Sequence, residues 1–192
     1  MTPIIKGIVA SGISGHLIPP YSPTGSYDAL AVYTVPSGGA SSITFAGIPQ
    51  SGYQHLQIRF CGLSSSNATL TLRFNGDTSS NYANHYLQGN GSAASAGADT
   101  TQSLINIYGA LPAASATSQT GSAIIDVLDY LSTSKNKTVR TLAGYDSNGS
   151  GFILLNSGLW YKTPEAINSI TLTPNAGNWT NTTQAALYGI RG

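Results

Sequence analysis

Turn-forming residues interrupt this chain too often for long helices to form. Gly occurs 22 times and Pro 9 times in 192 residues. Between the interruptions lie short runs rich in β-branched and aromatic residues, and within them polar and apolar positions alternate. In "YQHLQIRF", Tyr53, His55, Gln57 and Arg59 face one way and Leu56, Ile58 and Phe60 the other. That period of two is the mark of a half-buried strand. "ATLTLRF" repeats it, with Leu70, Leu72 and Phe74 on one face. Runs of the same kind continue from "ALAVYTV" and "SITF" to "NSITLTP" and "QAALYGI", giving roughly ten strands. In "SAIIDVLDYLSTSK", Ile124, Val127, Leu128 and Leu131 also fit helical spacing, but the adjacent β-branched Ile124 and Ile125 favour a strand. The expected fold is all-β: a β-sandwich of jelly-roll type spanning 29–192.

Residues 1–28 read differently. Pro3, Pro19, Pro20 and Pro23 break any regular element, yet Ile4, Ile5, Ile8, Val9 and Ile13 make the segment too apolar for a solvated linker. It is expected to be an extended docking arm, ordered against a partner that buries what the arm cannot bury alone.

The polar surface rests on Ser, Thr, Asn and Gly rather than on charge. Charged residues are 8% of the chain and the formal net charge is +1, against ~25% charged residues in ordinary soluble domains. Neither a basic face for nucleic acid nor a polybasic membrane patch can be assembled from so few charges. No apolar run approaches the ~20 residues of a membrane-spanning helix, and the first residues form no signal-peptide apolar core. Cys61, the single cysteine, cannot form an intramolecular disulfide. In the apolar context "LQIRFCGL" it is expected to be a small buried hydrophobe.

Chemistry-bearing residues are few. "LRFNGDTSSNYANHYLQGNGS" (72–92) gathers an Asp, two Tyr and a His, but turn chemistry explains it more simply. Asn75-Gly76 suits a type I′ turn, Tyr82, Asn84, Tyr86 and Gln88 share one face of a following strand, and the whole reads as a hairpin or strand pair. "DSNGSG" places Asp146, Asn148 and Ser150 at alternate positions like the start of a calcium loop. The twelfth position is Ser157 where a bidentate Glu is needed, so an Asx turn is expected, with no metal or other cofactor. Asp126 and Asp129 are the one nearby carboxylate pair, but an odd separation on a strand points them to opposite faces. With no catalytic motif or informative Ser/His/Asp spacing, the chain is read as non-enzymatic. Tyr82, Tyr145 and Trp179, lying in or beside Gly/Asn-rich loops, together with Asn148, are candidate contacts for a carbohydrate or protein ligand. Capping the ends of the sandwich core is an equal alternative for those rings.

Taken in order, "IVASGISGHL", "SGGASSITFAGIPQSGYQHLQIR", "LRFNGDTSSNYANHYLQGNGS", "IIDVLDYLSTSKNKTVRTLAGYDSNGSG", "LNSGLWYKTPEAINSITLTPNAGNW" and the terminal "ALYGIRG" resemble small, mostly uncharacterised structural proteins of tailed bacteriophages and prophages. The resemblance covers most of the chain. It implies a virion component assembled in the host cytoplasm: a tail or head fibre or a capsid decoration, bound to other virion proteins. By analogy it implies a homo-oligomer, a trimer first, and it brings no catalytic residues. A fibre tip would add binding to a host-surface glycan.

Overall fold

The computed structural model describes residues 26–192 apart from Thr117 and Thr163. The docking arm bearing Ile4, Ile5, Ile8, Val9 and Ile13 lies outside the described residues. Among the described residues there are twelve strands and no helix. They are β1 (Tyr27–Thr34), β2 (Ile43–Ala46), β3 (His55–Gly62), β4 (Leu70–Phe74), β5 (Tyr82–Gly89), β6 (Ala94–Gln102), β7 (Ile105–Ile107), β8 (Gly121–Leu128), β9 (Lys137–Asp146), β10 (Gly151–Trp160), β11 (Ser169–Pro174) and β12 (Gln184–Ile190). Strand β1 begins two residues before the boundary read at Ala29. Asp28 is already tied into the sheet, accepting hydrogen bonds from Arg191 and from the Tyr53 hydroxyl.

Two antiparallel sheets face each other as a sandwich. The larger runs β1-β12-β3-β8-β9-β10-β5-β6 and the smaller β2-β11-β4-β7. The pairing is nested: β1 bonds β12, β2 bonds β11, β3 bonds β8 and β4 bonds β7. The hairpins β5–β6 and β9–β10 interrupt this nest and widen the larger sheet beyond β8.

The core follows the alternation in the sequence. Leu56, Ile58 and Phe60 of β3 and Ala123, Ile125 and Val127 of β8 point inward against Leu70, Leu72 and Phe74 of β4 and Ile170 and Leu172 of β11, all buried. Each large aliphatic or aromatic side chain moved out of water stabilises the sandwich by roughly 1.5–3 kcal/mol before entropy is counted. Aromatic rings close the ends of this core: Phe60 packs on Trp179 at 5.1 Å and Phe74 on Trp160 at 5.5 Å between centroids.

Several expectations are corrected here. Cys61 is exposed rather than buried, its Sγ 3.0 Å from Thr120 Oγ1. It follows inward-pointing Phe60 directly, so strand alternation turns it out beside Arg59. Asn75 and Gly76 do have the paired positive φ of a type I′ turn, 51° and 66°. The turn closes no hairpin, however, because β4 and β5 belong to different sheets. Residues 75–81 carry the chain from one layer to the other, and the Tyr82 hydroxyl returns under β4 to accept from Phe74 N at 3.1 Å. Strand β6, with sequence ASAGADTTQ, has no sequence signal because small residues carry no apolar period.

Candidate assembly face

The candidate ligand residues divide into two groups. Tyr82 and Trp179 are 0% exposed and cannot touch a ligand. Trp179 is held between two loops by backbone bridges to Ala40 and Ser64, and its Nε1 donates to Leu172 O. Tyr82 stacks on Trp160 at 6.2 Å, and burial pushes its hydroxyl pKa up to about 12. These two rings take the core-capping alternative. Tyr145 and Asn148 do come together, at the turn joining β9 to β10, with Tyr145 half-buried against Phe152 and Asn148 exposed.

That turn is built by Asp146, whose Oδ1 accepts from Asn148 N at 2.8 Å and from Gly149 N at 3.4 Å. The expected Asx turn is therefore present at this loop. Among the described residues no cluster of three or more His, Cys, Asp or Glu side chains comes together. The β5–β6 turn lies against this one, with a Cβ on Gly91 falling 3.4 Å from Gly149 O. The two turns bound a shallow hollow of about 670 Å³, lined among others by Asn90, Tyr145, Asp146, Phe152 and Ile153.

The carboxylates Asp126 and Asp129 are not a pair. Asp126 accepts from Gln57 Nε2 at 2.8 Å on the outer face of β8. Asp129 lies beyond the strand end, 3.1 Å from Lys135 Nζ, and that hydrogen bond, joined by one from Gln54, lowers its pKa. Lys137 turns inward and is 1% exposed, its ammonium donating to the carbonyls of Ser132 and Lys135. Burial lowers its pKa.

What sequence reading missed is the outer face of the larger sheet. Its register aligns one apolar row across four adjacent strands: Ile124 of β8 is opposite Leu142 of β9, Leu142 opposite Leu155 of β10, and Leu155 opposite Leu87 of β5. Their exposures are 37%, 47%, 53% and 50%, and Ile153, also on this face, reaches 60%. Five partly exposed aliphatic chains at neighbouring positions of one sheet face leave on the order of a few hundred Å² of apolar surface, the size of patch that is often functional. On this stretch of the face the charged side chains are Arg59, at the β3 end of the same row, with Asp126 and Arg140, opposite each other in the next. Two hollows share Ile124 and Leu142 as their divide: the one beside the turns, and another of about 720 Å³ lined by Leu87, Ala96, Gly97 and Leu155. The missed signal was doubled parity. "AIIDV" and "FILL" put apolar residues at consecutive positions, which a sheet with one solvated face does not need.

Compared with protein families, curated proteins and solved structures, the chain finds no match in any of the three.

Proposed function

We propose that this chain is a non-enzymatic structural subunit of a tailed-phage virion, an exterior component such as a tail or head fibre or a capsid decoration. Its outer sheet face is an assembly surface and its N-terminal arm, 1–28, a docking element. The observation that carries this reading is the exposed row Ile124–Leu142–Leu155–Leu87. A solvated sheet face has no use for it, whereas a subunit built into a larger object must bury surface against its neighbours. The nested pairing of β1 with β12, β2 with β11, β3 with β8 and β4 with β7 supports a jelly roll carrying two inserted hairpins. The sparse charge and dispersed carboxylates support a part that performs no bond chemistry. The resemblance to phage and prophage structural proteins supplies the particle, and association with other virion proteins and as a homo-oligomer, trimer first, follows by the same analogy. Antibody raised against the chain should decorate particles in negative stain; unlabelled particles from a host that makes the protein would refute the reading.

A second reading, a receptor- or carbohydrate-binding module at a fibre tip, draws support from the hollow where Tyr145 and Asn148 meet the β5–β6 turn. A half-buried ring bordered by Asn and Asp side chains suits stacking on a sugar with hydrogen bonds at its edge. A glycan array tests it. Binding that Tyr145→Ala removes would add this role, and an array with no signal would leave the hollow without one.

A further inference from the structure

The geometry points to a second copy of this chain as the occupant of the apolar face, packed sheet on sheet about a two-fold axis running along the strands between β9 and β10; this rests on the assembly reading above. The row itself has that symmetry. Its four large side chains stand on four neighbouring strands, two on either side of the β9/β10 line. A half-turn about an axis in the interface exchanges β9 with β10 and β8 with β5. Leu142 of one copy then meets Leu155 of the other, and Ile124 meets Leu87. Each apolar chain faces an apolar chain, as a self-complementary contact requires.

The row beside it obeys the same exchange. Asp126, Arg140, Ser157 and His85 lie in register across β8, β9, β10 and β5. The half-turn sets the Asp126 carboxylate against the His85 imidazole of the other copy, and the Arg140 guanidinium against its Ser157 hydroxyl. Both are donor-to-acceptor matches, with no like charges opposed. Size is sufficient: the half-turn overlaps the six strands β3, β8, β9, β10, β5 and β6, ~24 Å across at ~4.8 Å spacing and ~30 Å along the strands, on the scale of the ~800 Å² per partner of an ordinary stable interface.

Sedimentation of the full chain from about 1 to 100 µM tests this. Dimers are expected, or hexamers where the trimer given by analogy is itself paired about this axis; a trimer alone would overturn the pairing. Leu142→Lys/Leu155→Lys, whose two ammonium groups would face two others across the axis, should raise the dissociation constant at least ~100-fold with circular dichroism and melting unchanged. If that variant unfolds, Leu155→Thr, a strand-compatible change, should still weaken association about tenfold. Orientation is read by cross-linking in a Cys61→Ser background. Facing sheets stand ~10 Å apart, so a short bismaleimide should join two chains that each carry Leu87→Cys with Ile124→Cys, and should not join chains carrying either change alone. A monomer over the whole range, an oligomer indifferent to these substitutions, or cross-linking through one cysteine alone would overturn the pairing. A monomer that still labels on particles would reject the pairing and leave the structural reading standing; a dimer absent from particles would do the reverse.

Discussion

At the scale of single residues, the crossing between the layers depends on Asp77. Partial burial raises the pKa of its carboxyl, but hydrogen bonds from Asn81 Nδ2, Trp160 Nε1 and Ser79 N outweigh that and bring it down to about 2. A folded-state value below the ordinary 3.8 means that the native state holds the charged form more tightly. The stabilisation is full above pH 3.8 and is lost as pH falls through 2; discounted for solvent screening of this partly exposed group, it is on the order of 1 kcal/mol. Asp77→Asn leaves at least one of the three donors without an acceptor and should cost about 1–3 kcal/mol at pH 7 by chemical denaturation. The gap between wild type and variant should close on acidification; a constant gap would mean the charge contributes nothing. Thr141 is the opposite case. It is 5% exposed and its Oγ1 has no partner. Thr141→Val, close in shape, should hold stability or raise it by up to ~1 kcal/mol, and a clear loss in the melt would show that the hydroxyl is satisfied. Cys61, turned outward, should react with a thiol reagent as fast in the native protein as in denaturant. Cys61→Ser should move stability by less than ~0.5 kcal/mol, whereas slow native labelling would return the thiol to the interior.

At the scale of elements, alternation is what the sequence discloses best. The inward sets of β3, β4 and β11 are visible as period-two runs, because a half-buried strand must separate its two faces in sequence, whereas β8 is apolar on both faces and hides its inward set. Pairing partners are less legible. Asn75-Gly76 specifies a local backbone shape but not which sheet the next strand joins, and Tyr82 settles that by bonding back to Phe74. Loop composition likewise could not reveal that Trp179 would be enclosed between two distant loops. Nor could it reveal the approach at the start of β8, where a Cβ on Gly121 would lie 1.7 Å from Ala110 O and 2.9 Å from Leu111 Cα. Backbone cannot give way as a flexible side chain can. Gly121→Ala should therefore destabilise by on the order of 3–5 kcal/mol, far above an ordinary strand Gly→Ala change. A melting temperature near that of wild type would show that the two segments stand further apart.

At the scale of the whole molecule, the larger sheet has two faces with different obligations. The inner face is covered by the smaller sheet and accounts for folding. The outer face carries an aliphatic row that folding leaves about half exposed. Of the candidate site, the sequence disclosed only the loop pair Tyr145 and Asn148; the outer row depends on the register of four strands, three of them brought in or extended by inserted hairpins. The proposed role makes that face part of an interface in the finished particle. The direct measurement is the copy number of the chain in gradient-purified particles, by quantitative mass spectrometry, with the wild-type gene replaced by Leu142→Lys/Leu155→Lys. The wild-type chain should be present at a fixed number per particle, and the variant, folded and equally abundant in the lysate, should be depleted at least ~10-fold, as expected when an apolar contact is replaced by unpaired charge. Particles that lack the wild-type chain, or that carry the variant at the wild-type number, would contradict it.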